Sequence, residues 1–311
     1  MSEMMRAAVQ DELGGPEVLH IGEREVPTPS IGEVLIRVHA AGVNPADMMN
    51  RRTGIFSGQP PFVLGWDVSG EIVAVGPGVT LFAPGDEVFG LLPFPRGGGA
   101  YAEYVVGPTR AFVRKPELLD HVQAASLPLA GLTAWQMLVE TAAVEPGQRV
   151  LITGAAGGVG HLAVQIAKAR GAHVIALTSS RYADHVRALG ADEIIDHATT
   201  DFVALLGDLD IVFEVLGEDY PVRALGVLRR GGMLVSTLPQ SLASAAQLAT
   251  ELGIRVKGVF VESDRLGLNA LVDLVQQGSL LPTIAATYPL ESAASAHATK
   301  HGPGKVVLRV S

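Results

Sequence analysis

The stretch VLITGAAGGVGHLAVQIAKARG at 150–171 carries the densest chemistry in the chain. Val150, Leu151 and Ile152 read as the short apolar run of a buried parallel strand. Gly154, Ala155, Gly157, Gly158, Val159 and Gly160 follow at once, and Val159, Leu162, Ala163, Ile166 and Ala167 then recur at helical spacing, which predicts one apolar stripe facing a sheet. Glycine lets the backbone turn sharply and lets an anion approach its N–H groups, and a helix that starts inside the turn adds the positive end of its dipole. Strand, glycine turn and helix in that order suit a dinucleotide pyrophosphate. Against the pattern G-x-G-x-x-G the register is imperfect, because Ala155 takes the first glycine position while Gly157 and Gly160 take the second and third.

The next apolar run, His173 to Leu177, ends in Thr178, Ser179, Ser180 and Arg181, about 20 residues beyond the last glycine of the turn, where an NAD site carries an acidic residue for the ribose. Hydroxyls and an arginine suit a 2′-phosphate instead, so the sequence favours NADPH over NADH. Ser180 also fits as the cap of a helix beginning near Arg181. Ligands of such sheets lie outside the carboxyl ends of the strands, so Leu216 and Gly217, Leu238, and Phe260, each at the end of a later predicted strand, are candidate contacts to ribose and nicotinamide.

The elements that must hold these residues are legible in the texture of the chain. Residues 1–125 contain short β-like runs (34–38, 68–75, 87–90, 101–106) broken by turn signals such as Pro77-Gly78 and Pro84-Gly85-Asp86, which predicts a compact antiparallel barrel or sandwich. Over 126–262, strands predicted at 150–153, 173–178, 193–196, 209–215, 232–236 and 254–259 alternate with helical segments, the pattern of a doubly wound parallel sheet. Residues 263–311 do not extend that alternation and are expected to return to the first domain. The fold class expected is therefore α/β: a β-barrel-type domain plus a Rossmann-type sheet.

Composition narrows the function. A chain of 311 residues with 48% hydrophobic residues can bury two cores. A net charge of −9 speaks against nucleic acid as a partner. The absence of cysteine excludes disulfides and every thiolate metal site. The N-terminal residues resemble no export signal, and no apolar run approaches a membrane span, so a cytoplasmic protein is expected.

Several blocks in order, AAGVNPADMMNRRTG at 40–54, PFVLGWDVSGEIVAVGPGVT at 61–80, PGDEVFG at 84–90, GGAYAEYVV at 98–106, AASLPLAGLTAWQML at 124–138 and the glycine turn itself, resemble the zinc-independent quinone oxidoreductases of the medium-chain dehydrogenase/reductase superfamily over nearly the full length. The resemblance implies a GroES-like first domain, a Rossmann second domain, an active site in the cleft between them, and commonly a homodimer. Zinc-dependent members carry a cysteine and a Gly-His-Glu block; here Asn44 and Gly65-Trp66-Asp67 stand at those positions, so no tetrahedral catalytic zinc is expected and no metal ligand is assigned. Without a Lewis acid to stabilise an alkoxide, reduction of a conjugated acceptor, a quinone or an α,β-unsaturated carbonyl, is easier than oxidation of an alcohol.

Within that frame Asn44 is placed beside the nicotinamide, or forms an Asx turn before Pro45. Asp47 orients Arg51 or caps a short helix. Trp66 suits a wall of the substrate pocket or the core equally. Thr133 is placed near the nicotinamide or caps a helix, and Lys305 is a second cationic contact for a phosphate or a solvated lysine. His297 and His301 are spaced like a metal pair but lack the glutamate of H-E-x-x-H, and a surface helix is the default. Tyr101 and Tyr104 fit alternate packing in a strand. Two functions follow: an NADPH-dependent quinone or enone reductase, or a non-catalytic NADPH-binding redox sensor or partner protein.

Overall fold

A computed structural model describes residues 3–311. The chain divides into two compact units. The first runs up to Leu132 and takes in Glu262–Gln276 and Pro282–Ser311; the second is Thr133–Val261 with Gln277–Leu281. The changeover falls after Leu132, beyond the position near 125 where the texture of the sequence changes.

In the first unit, β1 (Met4–Gln10), β2 (His20–Glu25), β3 (Glu33–Val43), β4 (Phe62–Val63), β5 (Asp67–Val75), β6 (Glu87–Leu91), β7 (Tyr104–Pro108) and β8 (Phe112–Arg114) form the β-rich part. The second unit contributes β9 (Arg149–Ile152), β10 (His173–Thr178), β11 (Glu193–Asp196), β12 (Leu209–Glu214), β13 (Leu228–Ser236) and β14 (Arg255–Gly258); β15 (Ile284–Pro289) and β16 (Lys305–Arg309) belong again to the first. Among the described residues β2, β1 and β4 make a three-stranded sheet, and β15-β16-β3-β5-β6-β8 a larger one, with β7 also paired to β3. The return of the C-terminal segment is thus a strand pairing: β16 lies antiparallel to β3, with Val306 opposite Val43.

β3 is the spine of this unit. Its inward positions Val34, Ile36, Val38 and Ala40 are fully buried, and it pairs with three other strands. At its far end Gly42 lies opposite Asp67 of β5. A Cβ on Gly42 would stand 2.5 Å from the Asp67 carboxylate, so glycine here is what lets a buried carboxylate sit against the strand.

The second unit is the expected parallel sheet, in the order β11-β10-β9-β12-β13-β14. Its central strands are continuous apolar runs, as burial on both faces requires. The helix Gly160–Ala169 departs from the sequence reading: residues 160–167 are all buried, so it has no single apolar stripe. Gln165, polar in sequence, is buried because its side-chain amide grips the backbone of Leu281 through Nε2 to O (3.1 Å) and N to Oε1 (2.9 Å).

Candidate active site

Asn44 and Asp67, which the resemblance sets at metal-ligand positions, converge with Lys305 at three strand ends. Asn44 follows β3, Asp67 opens β5 and Lys305 opens β16, and the registers Gly42–Asp67 and Val43–Val306 bring them together. All three are buried. The Asn44 amide nitrogen donates to Asp67 Oδ2 at 2.8 Å, and Lys305 Nζ donates to Asn44 Oδ1 and to the Val43 carbonyl (3.1 Å) and stands 3.5 Å from Asp67 Oδ2. The other Asp67 oxygen accepts from Leu129 N–H at 2.7 Å. Burial pushes the Asp67 carboxyl upward, and Lys305, Asn44 and Leu129 oppose that push.

The solvated reading of Lys305 does not hold: the residue is 3% accessible, and its ammonium is hydrogen-bonded inward to Asn44 and Val43. An ammonium is tolerated there because it faces a carboxylate and two carbonyl-type oxygens.

Beneath Asn44 lies a second buried polar chain. Asp47 Oδ2 accepts from Asn44 N–H (2.8 Å) at the start of the helix Pro45–Thr53, and Asp47 Oδ1 accepts from Gly65 N–H (3.1 Å). Asp47 is thus a cap, and Arg51 turns elsewhere, to the Gly14 carbonyl (3.2 Å) and His297 Nδ1 (3.1 Å). His297 Nε2 meets the Tyr101 hydroxyl at 3.1 Å. Burial pushes the Asp47 carboxyl up to about 7. Burial and then the Arg51 charge push the His297 imidazole down to about 3. The default of a surface helix at 291–300 is therefore corrected: His297 is 6% exposed, because its imidazole completes this interior chain. Tyr101, which precedes β7 rather than lying within it, is buried for the same reason.

Trp66 is 1% exposed and packs edge-on against Phe56 and Phe94, with ring centroids 5.9 and 5.1 Å away. Phe56 and Phe94 complete the cluster at 5.4 Å.

In the second unit the turn after β9 has the form that a pyrophosphate needs. A Cβ on Gly160 would lie 2.2 Å from the Gly154 carbonyl, so the helix can start this close to the turn only with glycine. The helix starts directly out of this turn, with His161 N–H and Leu162 N–H donating back to the Gly157 and Val159 carbonyls (both 3.1 Å), so the positive end of its dipole lies at the turn. Ala155, the irregular position, is buried and donates to the Leu177 carbonyl (3.2 Å). Gly157 is exposed, and Gly158 and Val159 are half-buried.

At the end of β10, Thr178 is buried, Ser179 half-buried, and Ser180 and Arg181 exposed, with the Arg181 guanidinium stacked over the Tyr182 ring at 4.6 Å. Ser180 does not cap the helix Ala183–Ala188; its hydroxyl and N–H donate to Asp196, whose carboxyl these bonds and Ala198 N–H (3.0 Å) hold below the usual range. Asp196, on the neighbouring strand, went unnoticed in the sequence because the Thr178–Asp196 register is invisible there. Glu214 was missed likewise: this buried carboxylate ends β12 and accepts from Leu216 N–H, Gly217 N–H (2.6 Å) and the Ser236 hydroxyl (2.7 Å). The N–H groups of Leu216 and Gly217 are therefore turned inward. Leu238 N–H goes to the Ser236 hydroxyl (3.0 Å). Phe260, past β14, is exposed, and Thr133 is buried within the helix Pro128–Trp135 rather than capping it.

A β-rich unit completed by its own C-terminal strand, together with a parallel sheet bearing a glycine turn, defines a two-domain oxidoreductase of the dehydrogenase/reductase type. Residues 30–117 match the alcohol dehydrogenase GroES-like domain, and residues 189–308 match the zinc-binding dehydrogenase family. The human quinone oxidoreductase is 33% identical, covering 97% of this chain and 96% of its own. A 2-haloacrylate reductase from Burkholderia sp is 34% identical, covering 98% and 99%. The structure of the quinone oxidoreductase from Coxiella burnetii superposes with a TM-score of 0.92 at 35% identity, covering 99% and 100%. The chain belongs to the quinone oxidoreductase family of the medium-chain dehydrogenase/reductase superfamily.

Proposed function

We propose that the protein is a reductase that uses NADPH and no metal ion to reduce quinones or α,β-unsaturated carbonyl compounds. The observation that carries this reading is the Asp67–Asn44–Lys305 group. Both Asp67 oxygens already accept hydrogen bonds, and a buried ammonium faces the carboxylate. A divalent cation there would meet Lys305's charge, and the neighbouring Trp66 ring carries no lone pair for it. Among the described residues no group of three His, Asp or Glu is placed to hold a metal.

The residues fit NADPH. The turn 154–160 and the start of its helix cradle the pyrophosphate, Gly160 leaving room where a Cβ would not. Arg181, at the end of β10 with no carboxylate partner among the described residues, neutralises the 2′-phosphate alongside Ser179. When bound, NADPH supplies a hydride, so that one NADPH and one proton are consumed for each two-electron reduction. Asn44, held by Asp67 and Lys305, keeps one amide hydrogen for an acceptor or nicotinamide oxygen, and its orientation is fixed before either arrives. Within the first unit Trp66 backs the aromatic cluster of Phe56 and Phe94, and within the second we assign Thr133, Leu238 and Phe260 to the nicotinamide end of the cofactor. The names of the relatives, a quinone oxidoreductase and a haloacrylate reductase, support an electrophilic conjugated acceptor.

The test is consumption of NADPH by purified protein offered naphthoquinones, enones and alkenals with a chelator present. Tight NADPH binding with no turnover on any of them would instead assign a non-catalytic sensor.

A further inference from the structure

One free cation of the first unit lies where no described contact uses it. A cavity of about 420 Å³ is lined by Phe56, Phe62, Val63, Arg96 and the segment Gly97–Gly99. Its walls are aromatic and apolar apart from the backbone, Ser57 and Arg96. Arg96 is exposed and has no carboxylate partner among the described residues. Behind this wall the Phe56–Trp66–Phe94 cluster fixes Phe56 from within.

A second observation points the same way. The Trp66 indole N–H is buried with no acceptor among the described residues. The indole carbon Cε2, bonded to that nitrogen, lies 3.7 Å from where a Cβ of Gly98 would be, so the indole packs against the glycine segment that lines the cavity. A buried donor without a partner costs stability, so the indole next to the cavity is a place where a changed packing of the wall has a readable effect.

Arginine's planar fork matches a carboxylate through two parallel hydrogen bonds, and flat rings favour a planar conjugated body. The chain as a whole carries a net charge of −9 and repels small anions, so an anionic acceptor needs a dedicated cation. We propose that Arg96 is a specificity-determining residue that takes the carboxylate of a conjugated acceptor whose planar part lies along Phe56 and Phe62. This rests on the reductase reading, and selects within it acceptors bearing an acid group.

Two experiments separate the claims. The chain holds two tryptophans, so Trp135→Phe leaves Trp66 as the sole fluorescent reporter beside the cavity. Titrated without NADPH, benzoate should change Trp66 emission at concentrations at least about tenfold below those needed for benzamide, and Arg96→Ala should abolish that preference while Arg96→Lys keeps part of it. Equal responses to benzoate and benzamide, or an undiminished preference in Arg96→Ala, overturn the carboxylate site. With NADPH present, the ratio of kcat/KM for 2-chloroacrylate to that for 2-cyclohexenone should fall by at least about tenfold in Arg96→Ala, through KM for the acid. An unchanged ratio overturns the assignment of Arg96 to the acceptor. If no variant turns over either compound, the reductase reading fails, while the fluorescence titration still decides whether Arg96 holds a carboxylate.

Discussion

At the scale of single residues, the account turns on what Lys305 and Arg181 face. Lys305 stands in a buried group with Asp67 and Asn44, so replacing it by methionine strands a carboxylate and an amide oxygen. Lys305→Met should therefore destabilise the protein by about 3–5 kcal/mol, measured by denaturant unfolding. A loss under about 1 kcal/mol would show that the group is not the buried pair described. Arg181 is the opposite case, exposed and stacked on Tyr182 with no acid to satisfy it among the described residues. Arg181→Asp should weaken NADPH at least about tenfold more than NADH in direct binding, since the new carboxylate repels a 2′-phosphate; equal losses would make Arg181 bystander surface. Asn44 and Trp66 were legible through the family resemblance, which sets them at the positions of the zinc ligands of other members. Their partners were not. Lys305 and Asp67 are far apart in sequence, and only the pairing of β16 with β3 and of β3 with β5 brings them to one place. Glu214 and Asp196 were hidden for the same reason: a carboxylate that caps a neighbouring strand's loop looks like any surface acid in one dimension.

At the scale of elements, the glycine turn and the helix Pro45–Thr53 each carry a consequence. Gly160→Ala puts a methyl 2.2 Å from the Gly154 carbonyl, so either the helix or the turn must move. The variant should lose about 1–3 kcal/mol of stability and bind NADPH at least about tenfold more weakly; wild-type affinity in the variant would mean that the turn does not form the phosphate cradle. Under the helix Pro45–Thr53, Asp47 and His297 oppose each other. The folded His297 resists protonation down to about 3, so acidification from about 6.5 favours the unfolded chain. The folded Asp47 takes its proton near 7, well above an ordinary aspartic acid, so acidification from there favours the folded one. The two contributions cancel across pH 5–7 in the parent protein, and His297→Gln should unmask the second, gaining about 2 kcal/mol relative to the parent between pH 7 and pH 5. The same pH dependence in parent and variant would show that His297 does not titrate in the interior. The central strands of the parallel sheet were readable as apolar runs, since burial on both faces leaves little else in them, whereas the outer strands β11 and β14 are more polar and more exposed. The helix after the glycine turn was read as amphipathic because Gln165 and His161 interrupt its apolar pattern, whereas in the folded unit their polar atoms are satisfied by backbone carbonyls.

At the scale of the whole molecule, a parallel sheet bearing a glycine turn is joined to a unit in which the buried Lys305 faces Asp67 and Asn44. The chain's family and fold follow from the likeness to quinone oxidoreductases along nearly its full length, and no helix among the described residues is long and apolar enough to cross a membrane. The expected homodimer is a proposal that sedimentation of the purified protein decides. The central claim is that this architecture passes a hydride from NADPH to a conjugated acceptor without a metal, and steady-state NADPH oxidation by chelator-treated protein tests it most directly. The account predicts stoichiometric reduction of naphthoquinones or enones, with kcat/KM for NADPH at least about tenfold above that for NADH and no loss on chelation. Activity that disappears with the chelator and returns with zinc, or a protein that binds NADPH and reduces nothing, would contradict it.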